Sequence, residues 1–331
     1  MIRRIAPLAV TVAAVALSAC GGGDDADLTI YSGRNEELVG ELIEQFERES
    51  DLKVDVRYGD SSELAATIAE EGDNSPADVF FSQDAGALGA VEDTLSSMPR
   101  PVLDAVPDRY RDARGRWAGV SGRARVIAYN RERTERTELP RSVLDLDSPR
   151  YRGKVGWAPT NASFESFVTA LRKTEGERAA GRWLEGMVGN DTQVYENNIA
   201  IRDAVASGEI DYGLINHYYV AEARAEEGPD YPVALYEPPG GDPGALVNVA
   251  GAAVLESSDH PKEAERFVRF LLSDESQRYF AEETKEYPLT GGAEADPSLR
   301  PLREIEQPDV DLSDLDDLEG TVELLERTGA L

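Results

Sequence analysis

Between Leu28 and Phe81 short β-rich runs alternate with amphipathic helical ones, and this alternation constrains the fold more than any other feature of the chain. Leu28-Thr29-Ile30-Tyr31 reads as a strand. Asn35 to Ser50 follows, with Leu38, Leu42 and Phe46 interleaved with Val39 and Ile43 at the i, i+4 spacing of one helical face. Lys53 to Tyr58 alternates with period two, and Ser61-Ser62-Glu63 offers a capping hydroxyl and a first-turn carboxylate to a helix carrying Leu64 and Ile68. Asp78-Val79-Phe80-Phe81 is a third strand, after which Asp84 opens another helix. A β-α-β-α-β order predicts an α/β fold whose parallel strands are joined by right-handed crossovers. Ligands of such sheets sit beyond the carboxyl ends of the strands, which places Tyr31-Ser32-Gly33, Tyr58-Gly59-Asp60 and Ser82-Gln83 along one rim.

A second unit of the same kind begins after Trp117. Arg125 to Tyr129 and Lys154 to Ala158 read as strands, the latter followed by Pro159-Thr160-Asn161-Ala162-Ser163 and a helix with Phe164, Phe167, Val168 and Leu171 inward. Asn161 or Ser163 is its expected N-cap. Asn197-Asn198 precedes a helix ending at Ser207-Gly208, and a strand from Glu209 to Ile215 runs into Asn216-His217-Tyr218-Tyr219 and an Ala/Glu-rich helix. Ala245 to Leu255 is an apolar strand, and Pro261 suits the first turn of the helix that continues through Phe267 and Leu271. The acidic stretch from Asp309 to Glu319 carries Leu312, Leu315 and Leu318 but lacks the spacing of an EF-hand loop, so it reads as an amphipathic, solvated segment.

With 331 residues, 41% of them hydrophobic and 30% charged, the chain has room for about two domains and a sizeable core. Its 64 Asp and Glu against 34 Lys and Arg leave a formal charge of −30, which repels phosphate backbones and argues against nucleic acid as a ligand. One Cys and two His exclude an internal disulfide and a Cys/His zinc cluster. That Cys closes the leader: Arg3 and Arg4 precede an apolar run from Ile5 to Leu17 that is short for a membrane span, and Leu17-Ser18-Ala19-Cys20 ends it in small residues. Residues 1–19 are expected to be a signal peptide. The tetrad resembles a bacterial lipobox, which implies lipidation of Cys20, and residues 20–26, rich in Gly and Asp, form a tether.

Six motifs follow one another along the mature chain: Tyr31-Ser32-Gly33-Arg34, Ser75-Pro76-Ala77-Asp78-Val79-Phe80, Ser121-Gly122-Arg123-Ala124-Arg125-Val126, Pro159-Thr160-Asn161, Ile215-Asn216-His217-Tyr218-Tyr219 and Asp242-Pro243-Gly244-Ala245-Leu246-Val247. Together they resemble the ferric-iron-binding substrate-binding proteins of bacterial ABC importers, over about residues 27 to 330. The resemblance implies a two-lobed periplasmic-binding-protein fold of type II, with two hinge strands and a cleft between the lobes. Residues 27–122 and 248–298 would form lobe 1, and 123–247 with 299–331 lobe 2. It further implies an extracytoplasmic, monomeric receptor without enzymatic activity, held by its lipid on the outer face of the cytoplasmic membrane or in the periplasm, that passes ferric iron to ABC permease subunits.

The residues carry independent support for that chemistry. Fe(III) is a hard cation that favours anionic oxygen, and a phenol supplies it when the metal displaces a proton. Tyr218 and Tyr219 reach one ion together only if they lie where a strand breaks into a helix, because strand neighbours point to opposite faces. The resemblance also implies a synergistic anion, phosphate or carbonate, at Asn161, Ala162 and Ser163, with Asn198 and Asn216 at the family's other anion contacts. A helix start offers outward N–H groups for it, although Asn161, Ser163 and Asn198 equally suit plain capping. Ser32, Asn35, Gln83, Arg123 and Tyr129 are expected around the cleft, and Arg125 either adds to its charge or forms a surface ion pair.

The sequence departs from the family where familiar members place a His after the first strand and a Glu after the third, both iron ligands. Asn35 and Gln83 stand there, and Phe164 stands where other members carry a further Tyr. Two phenolates therefore remain, with an exogenous anion or water and Tyr31, Tyr58, Tyr129 or Tyr195 as further candidates. His217 is expected to point away from the pair. The competing readings are a receptor for an oxyanion or small organic anion and a cleft hydrolase; the latter lacks a Gly-x-Ser-x-Gly elbow and a His-Glu-x-x-His run.

Overall fold

The computed structural model describes residues 26–331, so the leader and Cys20 lie outside the described residues. Along the chain the elements are β1 (Leu28–Ser32), α1 (Glu36–Ser50), β2 (Val54–Tyr58), α2 (Ser61–Glu71), β3 (Val79–Ser82), α3 (Ala85–Ala90), the short α4 (Arg100–Leu103) and β4 (Trp117–Asn130). Then come β5 (Val155–Trp157), α5 (Ala162–Glu175), α6 (Glu177–Gly189), β6 (Gln193–Val194), α7 (Asn198–Ser207), β7 (Tyr212–Asn216), α8 (Tyr218–Glu227) and β8 (Val233–Tyr236). The chain closes with β9 (Val247–Val254), α9 (Pro261–Leu271), α10 (Asp274–Glu282), β10 (Tyr287–Pro288) and α11 (Leu318–Thr328). Among the described residues no helix is long and apolar enough to cross a membrane.

The opening alternation folds as its pattern requires. Strand β1 runs parallel to both β2 and β3, and α1 buries Val39, Leu42, Ile43 and Phe46 against them. The cap of α2 differs from expectation: Asp60 accepts from the N–H groups of Ser62 and Glu63, because a carboxylate one residue earlier reaches both orphan donors and frees the Ser61 hydroxyl. Asp84 caps α3 in the same way through Gly86 and Ala87.

Two strands join the halves of the molecule. The 14 residues of β4 are buried throughout and change partners midway. Trp117 to Ala124 pair antiparallel with β9, whereas Arg125 to Tyr129 pair with β7 and Ile127 to Asn130 with β8. The strand expected at Arg125 is thus the far end of one that starts at Trp117, and β9 returns the chain beside it to pair with β3. The result is a two-lobed α/β architecture with strand order β2-β1-β3-β9-β4-β7-β5-β6. In the second half, Trp157, Phe164, Phe167 and Trp183 form an aromatic core with edge-to-face pairs, Tyr151 meets Tyr212 in the same manner, and Leu324 and Leu325 of α11 close the cluster. Before reaching it, the tail crosses the first half, where Leu312 and Leu315 are buried and the backbone of Leu315 lies against Gly86.

Candidate functional site

A cavity of about 360 Å³ opens between the halves. One wall comes from the loops after β1, β2 and β3, the rim expected from the strand order: Gly33 and Asn35, then Gly59, Asp60 and Ser61, then Gln83 and Asp84. The opposite wall is the start of α5 (Asn161, Ala162, Ser163) with Asn216, Tyr218 and Tyr219, and Arg123 of β4 lies between them. Gly33 has to be glycine here, since a Cβ would stand 2.0 Å from the Ser61 hydroxyl that accepts from the Gln83 N–H.

The tyrosines meet the geometric condition set by their sequence. Strand β7 ends at Asn216 and α8 starts at Tyr218, so adjacent rings fall on one side with centroids 4.2 Å apart at 35°. Tyr218 is only 7% exposed. Burial pushes the Tyr219 phenol well above its ordinary value, with the neighbouring Tyr218 adding to the rise. The Tyr219 phenol therefore holds its proton until a strong Lewis acid displaces it. Among the described residues no group of three His, Cys, Asp or Glu side chains is arranged to hold a metal.

His217 faces away from the cavity and is fully buried. Its Nδ1 accepts from the Ala124 N–H at 3.1 Å, its Nε2 donates to the Lys285 carbonyl at 3.0 Å, and its ring stacks on Tyr287. Burial pulls the imidazole down to about 4, so it is neutral and both nitrogens are in use.

Behind the other wall lies a buried charge network that no sequence pattern announced. Arg34, fully buried, makes a bidentate pair with Glu286 at 2.8 and 3.0 Å, and Ser121 donates to the same carboxylate at 2.6 Å. Burial pushes the Glu286 carboxyl up, but Arg34 and Arg123 outweigh it and hold the group below the usual carboxylate range. Arg34 also donates to the Gln83 side-chain oxygen at 2.8 Å, and Arg123 donates to the Gln83 carbonyl. Gln83 is thereby tied to the wall. Asn35 is exposed at the cavity edge and its side chain makes no capping bond.

At the start of α5, Asn161 is the N-cap. Its oxygen accepts from the Ser163 N–H at 3.1 Å and from the Ser163 hydroxyl at 2.5 Å. Arg125 stacks over Phe164 and Phe167, donates to the Leu214 carbonyl at 2.7 Å and reaches Ser163 at 3.4 Å. Burial pulls its guanidinium down to about 9, and among the described residues it has no carboxylate partner. It is therefore a buried cation rather than a member of a surface pair. Asn198 lies outside the cavity and holds the Asn216 N–H at 3.2 Å, while Asn197 caps α7.

The remaining candidates lie elsewhere. Ser32 is buried and folds its hydroxyl onto the Arg34 backbone, and Tyr129 packs in the second half's core. Tyr31 bonds Glu71, Tyr195 bonds Glu209, and neither these two nor Tyr58 lines the cavity. The sequence reading placed Asp60 on the rim and Asp84 at a helix start but named neither carboxylate as a candidate ligand. The signal was present, since both are cap residues in the loops that form the rim.

The family model described as bacterial extracellular solute-binding protein matches residues 72–312. An Fe(3+)-binding periplasmic protein of Serratia marcescens is 32% identical, the alignment covering 100% of this chain and 99% of the relative. The major ferric iron-binding protein of Neisseria meningitidis serogroup B is 35% identical, over 92% of this chain and 93% of the relative. Among solved structures, iron-bound HitA from Pseudomonas aeruginosa superposes with a TM-score of 0.84 at 36% identity, covering 91% of this chain and 99% of that one. A Trichodesmium protein in complex with iron and citrate gives 0.80 at 29% identity, with coverage of 91% and 99%.

Proposed function

Because the chain belongs to the bacterial extracellular solute-binding proteins, we propose that it is a receptor that captures ferric iron between its two lobes and hands it to an ABC permease. The observation that carries this reading is the adjacent pair of phenols, buried Tyr218 and half-buried Tyr219, on one wall of the cavity between the halves. The lobes are residues 27–122 with 248–298, and 123–247 with 299–331, the tail crossing α3 on its way back. Strands β4 and β9 act as the hinge, and closure brings the loop wall down on the metal. A phosphate or carbonate at Asn161, Ala162, Ser163 and Asn216 fills positions the protein leaves open, with buried Arg125 behind it. The receptor works as a monomer without catalysing a reaction, anchored outside the cytoplasm through Cys20.

Fe(III) titration of the purified protein tests the proposal. Tyrosinate-to-iron charge transfer should give a visible band, and small-angle scattering should show a smaller radius of gyration with iron than without. A second reading, a receptor for an oxyanion or small organic anion, is favoured by Arg125, a buried cation with no carboxylate partner among the described residues. A protein that stays colourless with Fe(III) and binds phosphate tightly would establish that reading in place of the first.

A further inference from the structure

We infer that Asp84, on the wall facing the tyrosine pair, supplies a carboxylate as third anionic ligand to the captured ferric ion. The inference rests on the iron reading above and concerns how that site is completed.

The wall formed by the β1, β2 and β3 loops offers few donors to a hard trivalent cation. Asn35 and Gln83 are neutral amides, and the Gln83 oxygen is already taken by Arg34 at 2.8 Å. Among the described residues that line the cavity, the carboxylates are Asp60 and Asp84. They differ in what binding would cost. Asp60 is exposed and keeps its water, so a metal must strip that shell first. Asp84 is 3% exposed, so its desolvation has been met by folding. Its Oδ1 accepts from Gly86 and Ala87 at 2.9 and 3.2 Å, which fixes the side chain, and among the described residues no hydrogen bond reaches its Oδ2. A held carboxylate with one uncommitted oxygen is what a hard cation takes as a monodentate ligand.

Charge leads to the same residue. Two phenolates and one carboxylate match the three positive charges of Fe(III), and the synergistic anion's charge is met by the buried Arg125 guanidinium behind it. Burial pushes the Asp84 carboxyl up and the Arg123 charge pulls it part of the way back, but among the described residues neither nearby guanidinium bonds it. Arg123 is directed at the Gln83 carbonyl and at Glu286, and Arg34 is paired with Glu286. Metal held from both walls also gives closure a driving force, because the ion binds the closed arrangement better than the open one.

The test compares full-length wild type with Asp84→Asn, Asp84→Ser and Asp60→Asn in Fe(III) titrations followed by the visible band, with thermal midpoints beside them. Asn and Ser both cap helices, so α3 keeps its bonds while the charge is lost. Both Asp84 variants should bind iron at least tenfold more weakly and shift the band to longer wavelength, since iron with one anionic donor fewer accepts phenolate electrons more readily. Their midpoints should stay close to wild type. Unchanged affinity and an unchanged band in both would overturn the assignment, as would a loss confined to Asp60→Asn. A wild type that never colours, or Tyr218→Phe and Tyr219→Phe variants that keep the colour, would instead overturn the iron reading itself.

Discussion

Replacing Glu286 by Leu should destabilise the protein far more than any surface charge change, and the size follows from its surroundings. The carboxylate is 2% exposed and accepts both Nη groups of a fully buried Arg34, the Ser121 hydroxyl at 2.6 Å and the Thr284 hydroxyl at 3.3 Å. Removing it leaves the Arg34 charge in the core with only the Gln83 oxygen, and breaking such a pair costs about 3–5 kcal/mol. At about 2 °C per kcal/mol for a chain of this size, the thermal midpoint should drop by about 6–10 °C. The double variant Arg34→Met/Glu286→Leu removes both charges. Thr284 keeps its bond to the Phe280 carbonyl, so the lost carboxylate strands Ser121, a cost of about 1 kcal/mol, and takes from buried Arg123, which keeps its bond to the Gln83 carbonyl, an ion partner at 3.9 Å. The double variant should therefore be more stable than the single one. The folded carboxyl is held below the ordinary value. Its contribution is thus complete above the unfolded value of about 4.3 and lost as pH falls through the lower folded one, so only the wild type should show this acid-dependent loss. Urea titrations of the three proteins at pH 7 and under acid measure both effects. A single variant that costs less than about 1 kcal/mol, or a double variant no better than the single, would refute the reasoning.

Tyr218→Phe and Tyr219→Phe should each abolish or strongly bleach the iron band and weaken binding by several tenfold steps of about 1.4 kcal/mol, as competition with a coloured chelator would measure; because Phe keeps the ring, calorimetry should find thermal stability retained. Both phenols surrender a proton to iron, so affinity should fall by about a hundredfold per unit of decreasing pH below neutrality, and a slope near zero in pH-resolved titrations would count against phenolate ligation. Dialysis free of phosphate and carbonate should weaken iron binding in the wild type, with a smaller change in Ser163→Ala if that hydroxyl contacts the anion. Cys20→Ala should move the protein from membrane to soluble fractions, and equal membrane retention would argue against the lipid anchor.

How far the sequence reached depends on the range of the interactions involved. The parallel β1–β3 unit, the helices and the tyrosine pair at a strand–helix junction were legible, because hydrophobic period, caps and strand breaks are written within a few neighbouring residues. The rim was legible as well, since chain order dictates which loops end a parallel sheet on one side. Arg34 and Glu286 are 252 positions apart, and no local pattern ties them. The continuity of β4 was hidden for a similar reason: a strand buried along its whole length has no alternation, so its change of partner near Ala124 exists only once β7 and β9 are in place. Asn198 is a cap residue in sequence and a support for Asn216 in space, and Tyr129 faces the core although its type suits a ligand. Residue type, set by the sequence, determined what each side chain could do. Long-range packing decided which ones meet, because donors aligned on facing lobes are assembled by burial and closure rather than by spacing along the chain.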